Sequence, residues 1–124
     1  MNKYVFLMKL KGFNIFLGNW DDEQDIINDF ELQPNELNGA FVLLAEYTTG
    51  GYEGSAFVLF ERDGQLYEVN GSHCSCMGLE GQWSPEETSA DVLVHRIKNG
   101  NLGSDYYDGD VFGQKLLSML EAEA

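Results

Sequence analysis

Ala56-Phe57-Val58-Leu59-Phe60-Glu61-Arg62-Asp63-Gly64-Gln65-Leu66-Tyr67-Glu68-Val69 is the stretch whose reading decides the fold. An apolar, aromatic and β-branched run over Ala56 to Arg62 meets Asp63-Gly64, a pair suited to the left-handed backbone of a two-residue hairpin turn. Leu66 to Val69 then returns antiparallel to it. Upstream, Phe41 to Tyr47 has almost no polar residue and reads as a central strand. The glycine-containing loop Thr48 to Gly54 joins it to the hairpin, so these segments form a three-stranded meander.

Working outward, Tyr4, Phe6, Met8 and Leu10 alternate with Val5, Leu7 and Lys9, which predicts a strand over residues 3–10. Gly12 breaks that run, and Phe13 to Leu17 reads as a second strand across a tight turn. Asp21 and Asp22 offer an N-cap to a helix that repeats Ile26, Ile27 and Phe30 and runs to about Leu32, ahead of Pro34. Gly71 to Gly81 is irregular. Ser84-Pro85-Glu86-Glu87 has the form of a capping box with proline at the first helical position, predicting a helix from Ser84. Ala90, Leu93, Val94 and Ile97 supply its buried face, and Gly100 its C-cap. Asn101 to Asp110 reads as a polar loop, and Val111 to Leu120 as a terminal helix carrying Leu116, Leu117 and Leu120. The expected architecture is α+β, with residues 1–124 as a single domain: an antiparallel sheet packed by two or three helices.

The chain has 124 residues, 21 acidic against 7 basic, and a formal charge of −14. A chain of this length buries roughly two-thirds of its unfolded surface, and a hydrophobic content of 44% supplies the core. Nucleic acid and anionic membrane are poor partners, since each phosphate contact needs a lysine or arginine. The apolar run Tyr4 to Met8 is too short to span a bilayer and is cut off by Lys9 and Lys11. A cytoplasmic location is expected, and a monomer.

The cysteines and histidines occupy two places: His73, Cys74 and Cys76 on one loop, and His95 on the helix that follows. Thiolate and imidazole together suit zinc, which takes four such ligands in a tetrahedron. Cys74 and Cys76 point the same way along an extended chain, and a helix folding back over the loop would bring His95 to them. His73 is the favoured fourth ligand over Asp91, which lies one helical turn before His95. A site closed by four protein ligands has no open position, so this zinc is expected to be structural and the domain zinc-stapled. Two buried thiols with two surface histidines is the plainer reading. A third makes Cys74 or Cys76 a nucleophile with His95 as its base, although acidic surroundings raise a thiol pKa and oppose activation. The loop Thr48 to Gly54 lacks the lysine of a phosphate-binding loop, and Asp105, Asp108 and Asp110 do not match a calcium loop.

Acidic charge is concentrated. Between Gly12 and Glu61 there is no lysine or arginine, and ten acids fall there. The densest group, Asp21, Asp22, Glu23, Asp25, Asp29 and Glu31, lies on the first helix and its entry. Helix N-termini favour acids, but this excess exceeds what capping needs and its self-repulsion destabilises the fold. These six residues are therefore the candidate binding face for a basic protein.

The segments Tyr52-Glu53-Gly54-Ser55-Ala56-Phe57-Val58-Leu59-Phe60, Asp63-Gly64-Gln65-Leu66-Tyr67-Glu68-Val69-Asn70-Gly71-Ser72-His73-Cys74-Ser75-Cys76 and Gly78-Leu79-Glu80-Gly81-Gln82-Trp83-Ser84-Pro85-Glu86-Glu87-Thr88 together resemble a family of small acidic bacteriophage proteins, over about a third of the chain. In type the chain is similar to zinc-containing anti-CRISPR inhibitors of Cas9. That resemblance implies a non-enzymatic anti-defence protein in the cytoplasm of the host bacterium. It would bind a basic surface of a Cas9-type effector and block nucleic-acid loading. An immunity or antitoxin-like protein neutralising a basic nuclease is the alternative, with a cysteine-dependent enzyme behind it.

Overall fold

The computed structural model describes residues 10, 12–50, 53–74, 78–99, 102 and 111–123. The elements in chain order are β1 (Ile15–Gly18), α1 (Glu23–Phe30), β2 (Phe41–Gly50), β3 (Glu53–Arg62), β4 (Gln65–His73), β5 (Glu86–Thr88), α2 (Ala90–Lys98) and α3 (Val111–Glu123). The strands form one sheet in the order β1-β2-β3-β4-β5. The fold is α+β.

The meander forms as the turn chemistry dictates. Asp63 (φ 53°) and Gly64 (φ 81°) both take the left-handed backbone of a primed hairpin turn. The Gly64 N–H donates to Glu61 Oε1 at 2.8 Å, tying the turn to the strand before it. From the turn the register runs unbroken from Arg62↔Gln65 to Gly54↔His73. A bulge between Val42 and Leu44 interrupts β2, which places Leu43 and Leu44 in the same apolar cluster.

Two features depart from the expected antiparallel sheet. β1 pairs parallel with β2, in register Ile15↔Leu44 to Gly18↔Tyr47, so the sheet is mixed. Parallel neighbours need a crossover of a dozen residues or more, and the segment from Asn19 to Ala40, with α1 inside it, supplies one. Of the strand expected over residues 3–10, residues 3–9 lie outside the described residues, and Leu10 is helical rather than extended and buried in the core.

The second departure is at Ser84-Pro85-Glu86-Glu87, which starts no helix. Glu86–Thr88 instead forms β5, in register Leu66↔Thr88 to Glu68↔Glu86. The helix begins at Ala90, with Ser89 as N-cap accepting from the Val92 N–H at 3.3 Å. Its apolar repeat also begins only at Ala90, so a helix started at Ser84 would have had nothing to bury in its first turn. Gln65 Nε2 donates to the Thr88 carbonyl at 2.9 Å and holds the short strand down.

Each face of the sheet carries its own core. On one, Leu43, Leu44, Phe57, Leu59 and Leu66 meet Leu93 of α2 and Leu116, Met119 and Leu120 of α3. Leu102, expected in a polar loop, is buried there as well. On the other face, Val42, Ala45, Val58, Phe60 and Val69 meet Ile26 and Phe30 of α1, with Trp20, Leu37 and Leu79. α1 thus lies across the sheet from α2 and α3. No helix among the described residues is long and apolar enough to cross a membrane.

Candidate functional site

α1 sorts its acids into two kinds. Asp22 is the N-cap, its side chain accepting the Asp25 N–H at 3.1 Å, and Asp25 answers in a capping box. Asp25 Oδ2 also accepts the Asp21 N–H at 2.7 Å. Asp29 accepts the indole N–H of buried Trp20 at 2.7 Å, locking the helix to the core. Those three carboxylates hold the local structure. Asp21, Glu23 and Glu31 are exposed, and among the described residues their side chains make no hydrogen bond or ion pair.

Glu31 ends α1 at an unfavourable place on two counts. Its backbone is left-handed (φ 54°, ψ 52°), a conformation that favours glycine or asparagine. Its charge sits at the negative end of the helix, whose last turn has no basic residue. Glu31→Gly should raise the unfolding free energy by about 1 kcal/mol, read from urea denaturation at constant m-value.

The cysteine-histidine loop begins at the end of β4. His73 Nε2 lies 2.6 Å from Tyr47 Oη, and Nδ1 lies 3.1 Å from the Cys74 carbonyl oxygen. A carbonyl only accepts, so the pattern has Nδ1 carrying the proton and Nε2 accepting from the phenol. The Tyr47 ring lies between those of Trp20 at 5.3 Å and His73 at 5.8 Å. Burial, then the carboxylates of Asp29 and Glu80, push the Tyr47 phenol above its usual range. Glu80 is held below the usual carboxylate range by its own N–H, the Gly78 N–H and His73.

Two tests follow from this pair. Gly54 faces His73 in the ladder, and a Cβ there would overlap the imidazole ring. Gly54→Ala should therefore displace His73 from Tyr47 and cost about 1–3 kcal/mol, seen as a drop in Tm. A raised folded-state phenol pKa stabilises the fold fully below the unfolded value, about 10. That contribution is lost as pH rises through the folded value. Phenolate absorbance should show one tyrosine titrating late, and Tyr47→Phe should remove it.

Of the residues expected to hold zinc, His95 is set apart from His73 and Cys74. His73 and Cys74 are adjacent, and Cys76 lies outside the described residues. His95 is exposed on α2, whose apolar side packs on the face of the sheet opposite Tyr47 and His73. Its neighbour Arg96 pairs with Glu68, five residues before His73 and roughly 16 Å along the strand. His95 is placed there because the helix starts at Ala90: β5 intervenes, and α2 packs on the far face of the sheet. His73 also has both nitrogens engaged, and the alternative ligand Asp91 shares α2 with His95. Among the described residues no three His, Cys, Asp or Glu side chains gather to hold a metal. His95→Ala should leave both zinc content and Tm unchanged, by elemental analysis and calorimetry.

Tyr47, Trp20 and Glu80 were not among the residues singled out from sequence. One signal was present: counting back from Asp63-Gly64 sets His73 opposite Gly54, leaving room for an aromatic neighbour from β2. The chain matches no known family model, no curated protein and no solved structure.

Proposed function

We propose that the protein acts by binding rather than by chemistry, and that the acidic surface around α1 meets a basic surface of a nucleic-acid-processing protein. The observation that carries this reading is Glu31. Its backbone N–H closes the last turn of α1, but its side chain, disfavoured by the left-handed backbone, the helix dipole and the surrounding negative charge, adds nothing to local stability. Its value is then to what the surface meets. Asp21 and Glu23 extend the same exposed charge at the other end of the helix, while Asp22, Asp25 and Asp29 keep the helix rigid, which lowers the entropy lost on docking.

A Cas9-type effector is the partner suggested by the resemblance of the chain, and competition for its nucleic-acid channel is the mechanism. The test is a binding assay between the purified protein and such an effector, with and without guide RNA, over a range of salt. Binding that weakens with salt and with prior guide loading supports the proposal. Binding unaffected by either removes it. Capture of a basic nuclease toxin in place of the effector would favour the antitoxin-like alternative.

A further inference from the structure

We propose that Asn38-Gly39, in the loop between α1 and β2, is a self-modifying site at which the folded protein converts asparagine to isoaspartate and aspartate. Water is the co-reactant. The product adds a carboxylate to the base-free acidic stretch between Gly12 and Glu61.

Asn-Gly occurs three times in the chain, at 38–39, 70–71 and 99–100. Local chemistry gives all three the same reactivity, because a glycine has no Cβ to shield its backbone nitrogen from the preceding side chain. The fold separates them. Asn70 and Gly71 lie within β4, paired with Phe57 and Ala56 of β3, and the Asn70 amide donates to Glu68 Oε1 at 2.9 Å. Asn99 is the C-cap of α2, and its amide donates to the His95 carbonyl at 2.7 Å. Either side chain must give up a hydrogen bond before its Cγ can meet the following nitrogen, and Asn70 must also leave the ladder.

Asn38-Gly39 has neither restraint. The loop is a run of turns in which the N–H groups of Glu36, Asn38 and Ala40 donate to the carbonyls of Gln33, Asn35 and Leu37 at 3.1, 3.2 and 3.0 Å. The Gly39 N–H falls between those donors, and among the described residues neither it nor the Asn38 side chain has a hydrogen-bond partner. Both residues are exposed. Gly39 takes φ 76°, and a Cβ built there would meet no atom within 4 Å. Below this tip the loop is fixed: Leu37 is buried, Arg62 Nη2 donates to the Glu36 carbonyl at 2.7 Å, and the Gln33 N–H donates to Glu36 Oε2 at 2.8 Å. The reactive pair is therefore presented by the native state, with no unfolding needed.

In the first step the Gly39 nitrogen, losing its proton to solvent, bonds to Asn38 Cγ. The Cγ–Nδ2 bond breaks, and ammonia leaves with a proton from water. Water then opens the five-membered succinimide. Cleavage at the side-chain carbonyl gives aspartate, and cleavage at the main-chain carbonyl gives isoaspartate, with the chain now running through the β-carboxyl. The net change is uptake of one water and release of one ammonia.

The test incubates the full chain in mildly alkaline buffer, folded or in guanidinium chloride. Peptide mass mapping follows conversion at each Asn-Gly, and enzymatic carboxyl methylation reads isoaspartate. In the folded chain Asn38 should convert first of the three, about tenfold or more ahead of Asn70, whose reaction waits on local opening of the sheet. In guanidinium chloride the three rates should converge. Asn38→Gln lengthens an exposed side chain by one methylene and disfavours the five-membered ring, so it should remove most of the isoaspartate at unchanged Tm. Conversion at Asn38 no faster than at Asn70 or Asn99 in the folded chain would overturn the proposal. So would the same ranking in guanidinium chloride, or an undiminished isoaspartate yield from Asn38→Gln.

Discussion

Arg96→Met should lower the unfolding free energy by about 2–4 kcal/mol. Arg96 Nη1 reaches both carboxylate oxygens of Glu68, at 2.6 and 2.7 Å. Its side chain is 30% exposed and that of Glu68 only 6%. The asymmetry decides which half of the pair matters. Without Arg96, Glu68 keeps the Asn70 amide as its one remaining donor among the described residues, and its charge stays buried between β3 and β5. Without Glu68, the guanidinium can turn toward water. Glu68→Gln should therefore cost about 1 kcal/mol, and Glu68→Leu combined with Arg96→Met should recover much of the loss by removing both charges together. Urea denaturation of the two single variants and the double variant measures this directly. An Arg96→Met cost below about 1 kcal/mol would mean that water reaches Glu68 once the arginine is gone.

The same pair explains why one part of the molecule was legible in sequence and another was not. The meander was readable because its determinants are local: Asp63-Gly64 sets the turn, and the turn sets the register of every residue back to Gly54. Helix α1 was readable for the same reason, since Asp22 and Asp25 cap it and Ile26 and Phe30 bury it. The course of the chain after Gly81 was not. Ser84 to Glu87 has the local chemistry of a helix start, but Leu66 and Gln65 offer an edge for Glu86–Thr88 to pair with, and that long-range pairing prevails over the capping pattern. Once β5 forms, α2 is carried to the face opposite His73, which sets His95 apart from His73. β1 was misplaced for a related reason. Alternation marks a strand but does not say which neighbour it takes, and the parallel pairing with β2 follows from the crossover through α1. Of the candidate binding face, the position of all six acids was legible. The division into structural and available carboxylates was not, because it rests on where the N–H groups of Trp20, Asp21 and Asp25 point.

That division determines how the proposed function is best tested. Asp21→Asn, Glu23→Gln and Glu31→Gln combined should weaken binding to a basic partner about 10- to 100-fold while leaving the fold intact. None of the three side chains caps α1 or bonds to the core, and the favourable place of Glu23 in the first turn, lost on neutralisation, is offset by relief of the unfavourable charge of Glu31 at the other end and of the repulsion around the helix. The loss should fall mainly on the association rate, because exposed carboxylates steer encounter more than they hold the bound state. It should also flatten the dependence of affinity on salt, since fewer charges remain to be screened. Asp22→Ala with Asp25→Ala is the informative contrast. It also removes two charges, but it deletes both side chains of the capping box, so reduced binding would come with a lower Tm and a partly frayed α1. If only the capping variant lost affinity, the partner would be reading the shape of the helix. Loss in the triple variant, at unchanged Tm and with a smaller salt slope, is the outcome that an interface built on charge requires.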